Sequence, residues 1–191
     1  TTERARMMKA LGAEVVLVDQ AAGSPPNQVS GADLELVEQR TQHLVRQRRA
    51  FRADQFQLEA NALAHERYTG PEIWQQARGN MDVFVDYVGT GGTFTGISRF
   101  LKAKKAAVRC YLVEPATAPA LAGGPVTNPS HKIQGGGYNQ THLPLLDRTL
   151  VEDYLSVTDD EAIAAARLLA AEEGIFGGFS SGAHLAVALR L

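Results

Sequence analysis

One cysteine, one tryptophan, five scattered histidines and no long apolar run: this 191-residue chain is short of several things that would have marked its class. A lone Cys110 closes no intrachain disulfide, so a stapled secreted scaffold is excluded, and the thiol fits a reducing, cytoplasmic setting. Apolar stretches are only a few residues long, far below the ~18 that a membrane span needs, so no membrane partner is expected. No basic n-region followed by an apolar h-region opens the chain, which argues against a signal peptide. A net charge of −2 excludes a strongly basic nucleic-acid binder, and 45% apolar content excludes a disordered tail. His43, His65, His131, His142 and His184 show no ligand spacing, so no metal is expected.

What is present is an alternation of helix and strand patterns. Residues 1–11 carry Glu3 and helical spacing, and Gly12 stops them: a helix is predicted. Ala13-Glu14-Val15-Val16-Leu17-Val18-Asp19 is a β-branched run and is predicted to be a strand. Gly23-Ser24-Pro25-Pro26-Asn27 is loop chemistry. Residues 33–49 have helical spacing, with Leu34, Val37, Leu44 and Val45 on one side. Arg40, Arg46, Arg48, Arg49 and Arg52 make a basic patch there, either a solvated helix face or a place to meet an anion. Residues 51–56 look strand-like. Residues 60–77 read as helical, with a break at Thr69-Gly70-Pro71.

Strands are then predicted over 81–88 and 108–113, with a helix over 93–105 between them and a long connection over 114–143. Thr158-Asp159-Asp160-Glu161 is a capping box opening a helix over 162–173, which Gly174 stops. An apolar helix over 183–191 ends the chain, with no strand after it. The alternation predicts an α/β fold with a largely parallel sheet, and both ends read as cuts.

The sharpest chemical signal is Gly89-Thr90-Gly91-Gly92-Thr93-Phe94-Thr95-Gly96, after a strand and before a helix. Glycines there let consecutive N–H groups converge at a helix N-terminus, which favours a phosphate or carboxylate. The dinucleotide pattern fails because Phe94 stands where glycine is needed, and the Walker pattern fails because Ile97 stands where lysine is needed. A packed strand–helix turn is the alternative to an anion cradle.

Gly178-Phe179-Ser180-Ser181-Gly182 matches the nucleophile elbow of hydrolases in letters, but His184 is too close to act as its base. His131-Lys132-Ile133-Gln134-Gly135-Gly136-Gly137-Tyr138 is either a mobile surface loop or a place of close backbone approach to a ligand. Gln55 is either a buried amide satisfied by backbone or a ligand contact, and Cys110 belongs in the core.

Taken in order along the chain, these stretches resemble the pyridoxal-phosphate enzymes of the cysteine synthase and cystathionine β-synthase family, fold type II, tryptophan-synthase-β-like. The match runs from Leu11-Gly12-Ala13-Glu14-Val15 through Asp54-Gln55-Phe56, Asn61, His65 and Thr69-Gly70-Pro71-Glu72-Ile73-Trp74. It continues through the glycine loop, Val113-Glu114-Pro115, His131-Lys132-Ile133-Gln134-Gly135, Glu172-Glu173-Gly174-Ile175 and Ser180-Ser181-Gly182-Ala183. The resemblance implies that Gly89, Thr90, Gly91, Gly92 and Thr93 hold the phosphate of pyridoxal 5'-phosphate and that Ser180 hydrogen-bonds its pyridine nitrogen. It implies that Gln55, Gly135 and Gly136 line the amino-acid site. The reaction it implies replaces the β-substituent of an O-activated serine with sulfide or a thiol, giving cysteine or a relative.

The resemblance also implies residues 1–52 as part of a smaller N-terminal subdomain and 53–191 as most of the cofactor-binding domain, without its C-terminal strands. Family members are often dimers, so a homodimer is an expectation. None of the five lysines, Lys9, Lys102, Lys104, Lys105 and Lys132, falls in the family's Schiff-base lysine motif. No catalytic residue is therefore assigned within the chain, which alone is expected to be inactive. A serine or threonine dehydratase-like lyase, or a non-catalytic binding module on the same fold, are the alternatives. The Gly135-Gly136-Gly137 run departs from the commoner family pattern, which has isoleucine in the middle.

Overall fold

The computed structural model describes residues 2–23, 31–137 and 139–191; Ser24-Pro25-Pro26-Asn27 of the expected loop, and Tyr138, lie outside the described residues. The chain forms two compact units, Thr1–Ala53 and Asp54–Leu191. In the first, α1 (Thr2–Ala10) ends as expected at Gly12, whose φ of 90° is left-handed, and α2 is Gly31–Arg48. Arg48 pairs with Glu14 at 2.5 Å and Arg52 with Glu38 at 2.6 Å, so two arginines of the basic patch answer carboxylates of their own unit.

Residues 13–19 are not the strand that their composition predicts. A strand exists by pairing, and among the described residues none pairs with this segment; Leu17 is left exposed. Residues 51–56 are not strand-like either. Asp54 folds them into a turn, its Oδ1 accepting the Phe56 N–H at 3.0 Å and its carbonyl accepting the Leu58 N–H at 2.9 Å.

The second unit opens with a helical run that does not break where a break is predicted. It passes from α3 (Ala60–Ala64) through a π-helical turn, His65–Thr69, into α4 (Gly70–Gln76). Pro71 cannot donate and would crowd the carbonyl one ordinary turn back. The wider turn, with the Gly70 N–H reaching back to the His65 carbonyl, accommodates it without ending the helix.

Three parallel strands form the sheet: β1 (Val83–Tyr87), β2 (Arg109–Pro115) and β3 (Asp153–Val157), in the order β1-β2-β3. Val85 is opposite Tyr111, and Val113 is opposite Leu155. Because strand side chains alternate, β2 feeds two cores. On one face Cys110 and Leu112 meet Phe94, Ile97 and Leu101 of α5 (Gly92–Lys104). On the other, Val113, Tyr87 and Val157 meet Ala162 of α6 (Asp159–Glu173) and Ala183 and Val187 of α7 (Phe179–Ala188). Both faces are covered, so β1 and β2 are the near-continuous apolar runs that made them legible.

The capping box is present in full. Thr158 Oγ1 accepts the Glu161 N–H, and the Glu161 carboxylate accepts the Thr158 N–H. Its residues are themselves the first turn, so α6 starts at Asp159 rather than 162. Likewise α7 starts at Phe179, four residues before the apolar run that announced it, and ends at Ala188. Two glycines of the sequence motifs turn out to be packing glycines. A Cβ on Gly96 would strike the Ala62 carbonyl of α3, and one on Gly182 the Ala162 carbonyl of α6.

Candidate cofactor site

In an open parallel sheet, ligands bind beyond the carboxyl ends of the strands, and the glycine loop lies there, directly after β1. Gly91 is the N-cap of α5, with φ of 84°. That conformation, together with the Leu146 Cβ 2.9 Å from where a side chain would begin, restricts the position to glycine. The turn leaves the first N–H groups of α5 beyond the strand end, where the helix dipole adds to their pull on an anion.

The hydroxyls of this loop are held from behind. Thr90 Oγ1 accepts the Asn61 Nδ2–H at 3.2 Å and the Gly92 N–H at 3.3 Å, so its own proton remains for a ligand. Asn61 Nδ2 also donates to the Gln55 carbonyl at 2.7 Å, which ties the Gln55 turn to the loop. Thr93 Oγ1 lies 3.1 Å from His65 Nε2, and His65 Nδ1 lies 3.0 Å from Thr69 Oγ1. A Thr93 that donates to an anion requires the proton on Nε2, with the Thr69 hydroxyl donating to Nδ1. The π-helical turn is what sets both groups around the imidazole. The resulting donor set of backbone N–H groups and neutral hydroxyls, without lysine or arginine, fits a phosphate ester.

The triple-glycine loop is tied to the end of β1. The Gly137 N–H donates to the Val88 carbonyl at 3.2 Å, and His131 Nε2 closes the loop on the Gly137 carbonyl at 2.9 Å. Gly136 is buried against Val88, and the Gly135 carbonyl faces Gly89. Gly135 itself is exposed, as is Gln55. So Gln55, Gly135 and the glycine loop share one rim.

Ser180 stands in the first turn of α7, and among the described residues nothing engages its hydroxyl. The Gly178–Gly182 letters form no nucleophile elbow: α6, not a strand, is the element before Phe179, Gly182 serves helix packing, and His184 lies on the same helix facing the Ser180 carbonyl. The link from α7 back to β1 is one the motifs did not announce. His184 Nε2 lies 3.1 Å from Asp86 Oδ1 and 2.9 Å from the Tyr87 nitrogen, whose N–H it accepts only in the neutral ring, while Nδ1 lies 2.7 Å from the Ser180 carbonyl. Burial works against the imidazolium, but Asp86 and the Ser180 carbonyl outweigh it and hold His184 above its ordinary value. The only sequence signal was an aspartate inside an apolar strand.

The lysines are engaged elsewhere. Lys102 Nζ donates to the Val108 carbonyl at 3.0 Å, Lys105 Nζ reaches Asp82 at 2.7 Å, and Lys104 lies over the Phe100 ring, all toward the far end of α5. Lys132 lines a cleft of about 270 Å³ with Thr117, Thr158 and Asp160.

Comparison with known proteins places the chain in a family. The family profile described as pyridoxal-phosphate dependent enzyme matches residues 1–191. The chain belongs to that family. It is 41% identical over 196 residues to cysteine synthase A of Escherichia coli, covering 99% of this chain and 58% of that protein. It is 40% identical over 191 residues to cysteine synthase 3 of Caenorhabditis elegans, covering 100% of this chain and 53% of that one. Among solved structures, a hydrogen sulfide-producing enzyme from Fusobacterium nucleatum superposes with a TM-score of 0.83 at 33% identity, covering 99% of this chain and 59% of that one. An O-ureido-L-serine synthase superposes with a TM-score of 0.80 at 35% identity, covering 100% of this chain and 56% of that one. The chain therefore spans between about half and six-tenths of the length of these relatives, and shares their α/β parallel-sheet fold. Pyridoxal phosphate is the cofactor of the family, and the neutral donor set of the 89–93 loop accords with its phosphate. Among the described residues no helix is long and apolar enough to cross a membrane.

Proposed function

We propose that the protein carrying this chain is a cysteine synthase-like enzyme that replaces the β-substituent of an O-activated serine with sulfide or a thiol. In this proposal Gly89, Thr90, Gly91, Gly92 and Thr93 hold the phosphate of pyridoxal 5'-phosphate, and Ser180 hydrogen-bonds its ring nitrogen. Gln55, Gly135 and Gly136 line the amino-acid site. The observation that carries it is the lysine-free donor loop after β1, with the Gln55 turn tied to it through Asn61 and the Gly135 carbonyl beside it. The names of the similar proteins, cysteine synthases and an O-ureido-L-serine synthase, support the same substrate class.

When bound, the cofactor supplies an electron sink for the amino acid's α-carbon. The Thr90 hydroxyl and the first N–H groups of α5 bind its phosphate and fix its orientation. A serine at the ring nitrogen is a neutral partner that need not transfer a proton there. That makes the sink weaker than an aspartate would, and favours loss of a β-substituent over transamination. None of the five lysines is proposed to hold the cofactor. Residues 1–52 are proposed as part of the smaller subdomain and 53–191 as most of the cofactor-binding domain, in a cytoplasmic and homodimeric enzyme.

The test is to incubate the full-length protein with O-acetylserine and sulfide, and separately with serine or threonine alone. Cysteine is expected from the first mixture only. Keto acid from serine or threonine without cysteine would identify a dehydratase instead, and no turnover with the cofactor retained would identify a binding module.

A further inference from the structure

We propose that His184 is a positioning residue for Ser180, bridging the Asp86 carboxylate on β1 to the Ser180 carbonyl one turn back on α7 and so setting where the Ser180 hydroxyl is presented. The inference rests on the proposed role of Ser180 at the cofactor's ring nitrogen.

Two observations carry it. The first turn of α7 lacks the usual anchor: its N-cap, Gly178, offers no side-chain acceptor, and nothing lies within 4 Å of where its Cβ would be. What the turn has instead is the imidazole. The Ser180 carbonyl can only accept, so Nδ1 carries a proton whatever the charge of the ring. Nε2 faces both a donor, the Tyr87 N–H, and an acceptor, Asp86 Oδ1. In the neutral ring Nε2 accepts from Tyr87 and turns a lone pair toward the carboxylate. In the imidazolium it donates to Asp86. Second, Asp86 is a buried carboxylate in an apolar strand, a placement that is costly unless a cation or donors answer it. Protonated His184 is that answer, 98 residues along the chain. The Tyr87 whose amide His184 takes also donates its hydroxyl to the Ile133 carbonyl at 3.1 Å, and its ring edge faces Gly136. One imidazole thus reaches both the ring-nitrogen residue and the strand end against which the triple-glycine loop packs.

Several of the other charged or titratable groups on the elements around α7 have partners of their own. Glu114 on β2 takes the Leu121 and Ala122 amides, and Arg109 lies over Tyr111. On β3, Asp153 takes the Tyr154 amide and the Tyr154 ring lies under Arg148. On α6, Asp159 takes the Lys132 amide and Glu161 takes Thr158 and Arg190, while Asp160, Arg167, Glu172 and Glu173 do not bear on the imidazole. Asp86 is the charge that acts on His184.

The experiment has two parts. Titration of the imidazoles in the ¹⁵N-histidine-labelled full-length apoprotein should place His184 above its ordinary value, and the isosteric Asp86→Asn should return it to that value or below. A His184 that titrates alike in both overturns the inference. In the full-length holoenzyme, Ser180→Ala should change the cofactor's absorption and emission. Asp86→Asn and His184→Ala should weaken pyridoxal 5'-phosphate binding roughly two- to tenfold, the range of one hydrogen bond. Both should also abolish the pH dependence of the emission across the His184 titration. Asp86→Asn keeps the test alive where His184→Ala fails to fold. Variants that lose stability but keep cofactor affinity and the emission profile would assign His184 a purely structural role and overturn the proposal. A silent Ser180→Ala would instead overturn the reading of Ser180, and is told apart because the His184 titration in the full-length apoprotein would still respond to Asp86→Asn.

Discussion

Gly96→Ala sets two well-calibrated effects against each other, so the sign of the result is informative. Gly96 lies inside α5, where replacing glycine by alanine on propensity alone stabilises a helix by about 1 kcal/mol. Packing opposes this. The added Cβ would strike the Ala62 carbonyl and sit 2.8 Å from both the Glu66 nitrogen and the His65 Cβ. Carbon contacts settle at ~3.5–4 Å, so α5 must move off the α3–π-helix run by on the order of 1 Å. Overpacking of a well-filled contact costs ~1–3 kcal/mol, and here the upper end applies because two of the three atoms are backbone and cannot rotate away. The net expectation is a destabilisation of about 2 kcal/mol, a fall of roughly 1 M in the urea midpoint for a slope near 2 kcal/mol/M. His65 rides on the displaced run, so the His65–Thr93 contact should loosen and phosphate affinity of the holoenzyme should drop as well. Truncating His65 to alanine in the same background should not restore stability, since the carbonyl is met first. A Gly96→Ala chain as stable as the wild type, or more so, would refute the close approach of α5 to α3.

Two further outcomes follow from buried titratable groups. Burial pushes the Cys110 thiol up, against smaller opposing effects of Ser98 and Lys102, so native chain at pH 8 should be inert to a thiol-specific disulfide reagent and release one equivalent only on denaturation; rapid stoichiometric reaction of native protein would contradict the packing. Burial also pushes Glu114 up, with the Leu121 and Ala122 amides and Arg148 pulling the other way. The native state then binds this proton more tightly than the unfolded chain, so its contribution to stability falls as pH rises from the ordinary value of 4.5 through the raised native value, and is level above it. The stability difference between wild type and Glu114→Gln, followed by urea unfolding, should shrink over that window as pH rises; a difference that grows would reverse the assignment.

What the sequence made legible was whatever short-range physics dictates. The glycine loop, the Thr158 capping box, the Gly174 stop and the two buried strands β1 and β2 depend on neighbours within a few residues. β3 passed unpredicted between the long connection and the capping box, because a five-residue strand at a sheet edge carries half-buried positions and little pattern. Residues 13–19 have the composition of a strand but, among the described residues, no partner to pair with, and Asp54 converts 51–56 into a turn by a local hydrogen bond that composition does not weigh. The site divides along the same line. The proposed donors toward a phosphate are consecutive residues and announce themselves, whereas their supports come from Asn61 and His65, 29 and 28 residues away from the hydroxyls they hold.

The Asp86–His184 pair is the extreme case. Neither residue matches a motif, and histidine near a Gly-x-Ser-x-Gly pattern suggested only a failed hydrolase. Yet an aspartate between Val85 and Tyr87 in a strand covered on both faces is a conflict between local pattern and global burial. Such conflicts persist where something distant resolves them. Here the resolving group is on the helix that carries Ser180. An element packed through small apolar residues such as Ala183 and Val187 thereby acquires a directional, charge-sensitive attachment to the strand that leads into the glycine loop. The two ends of the proposed cofactor site are then joined through one side chain. A charge on that side chain should be felt at the ring-nitrogen end before it is felt at the phosphate.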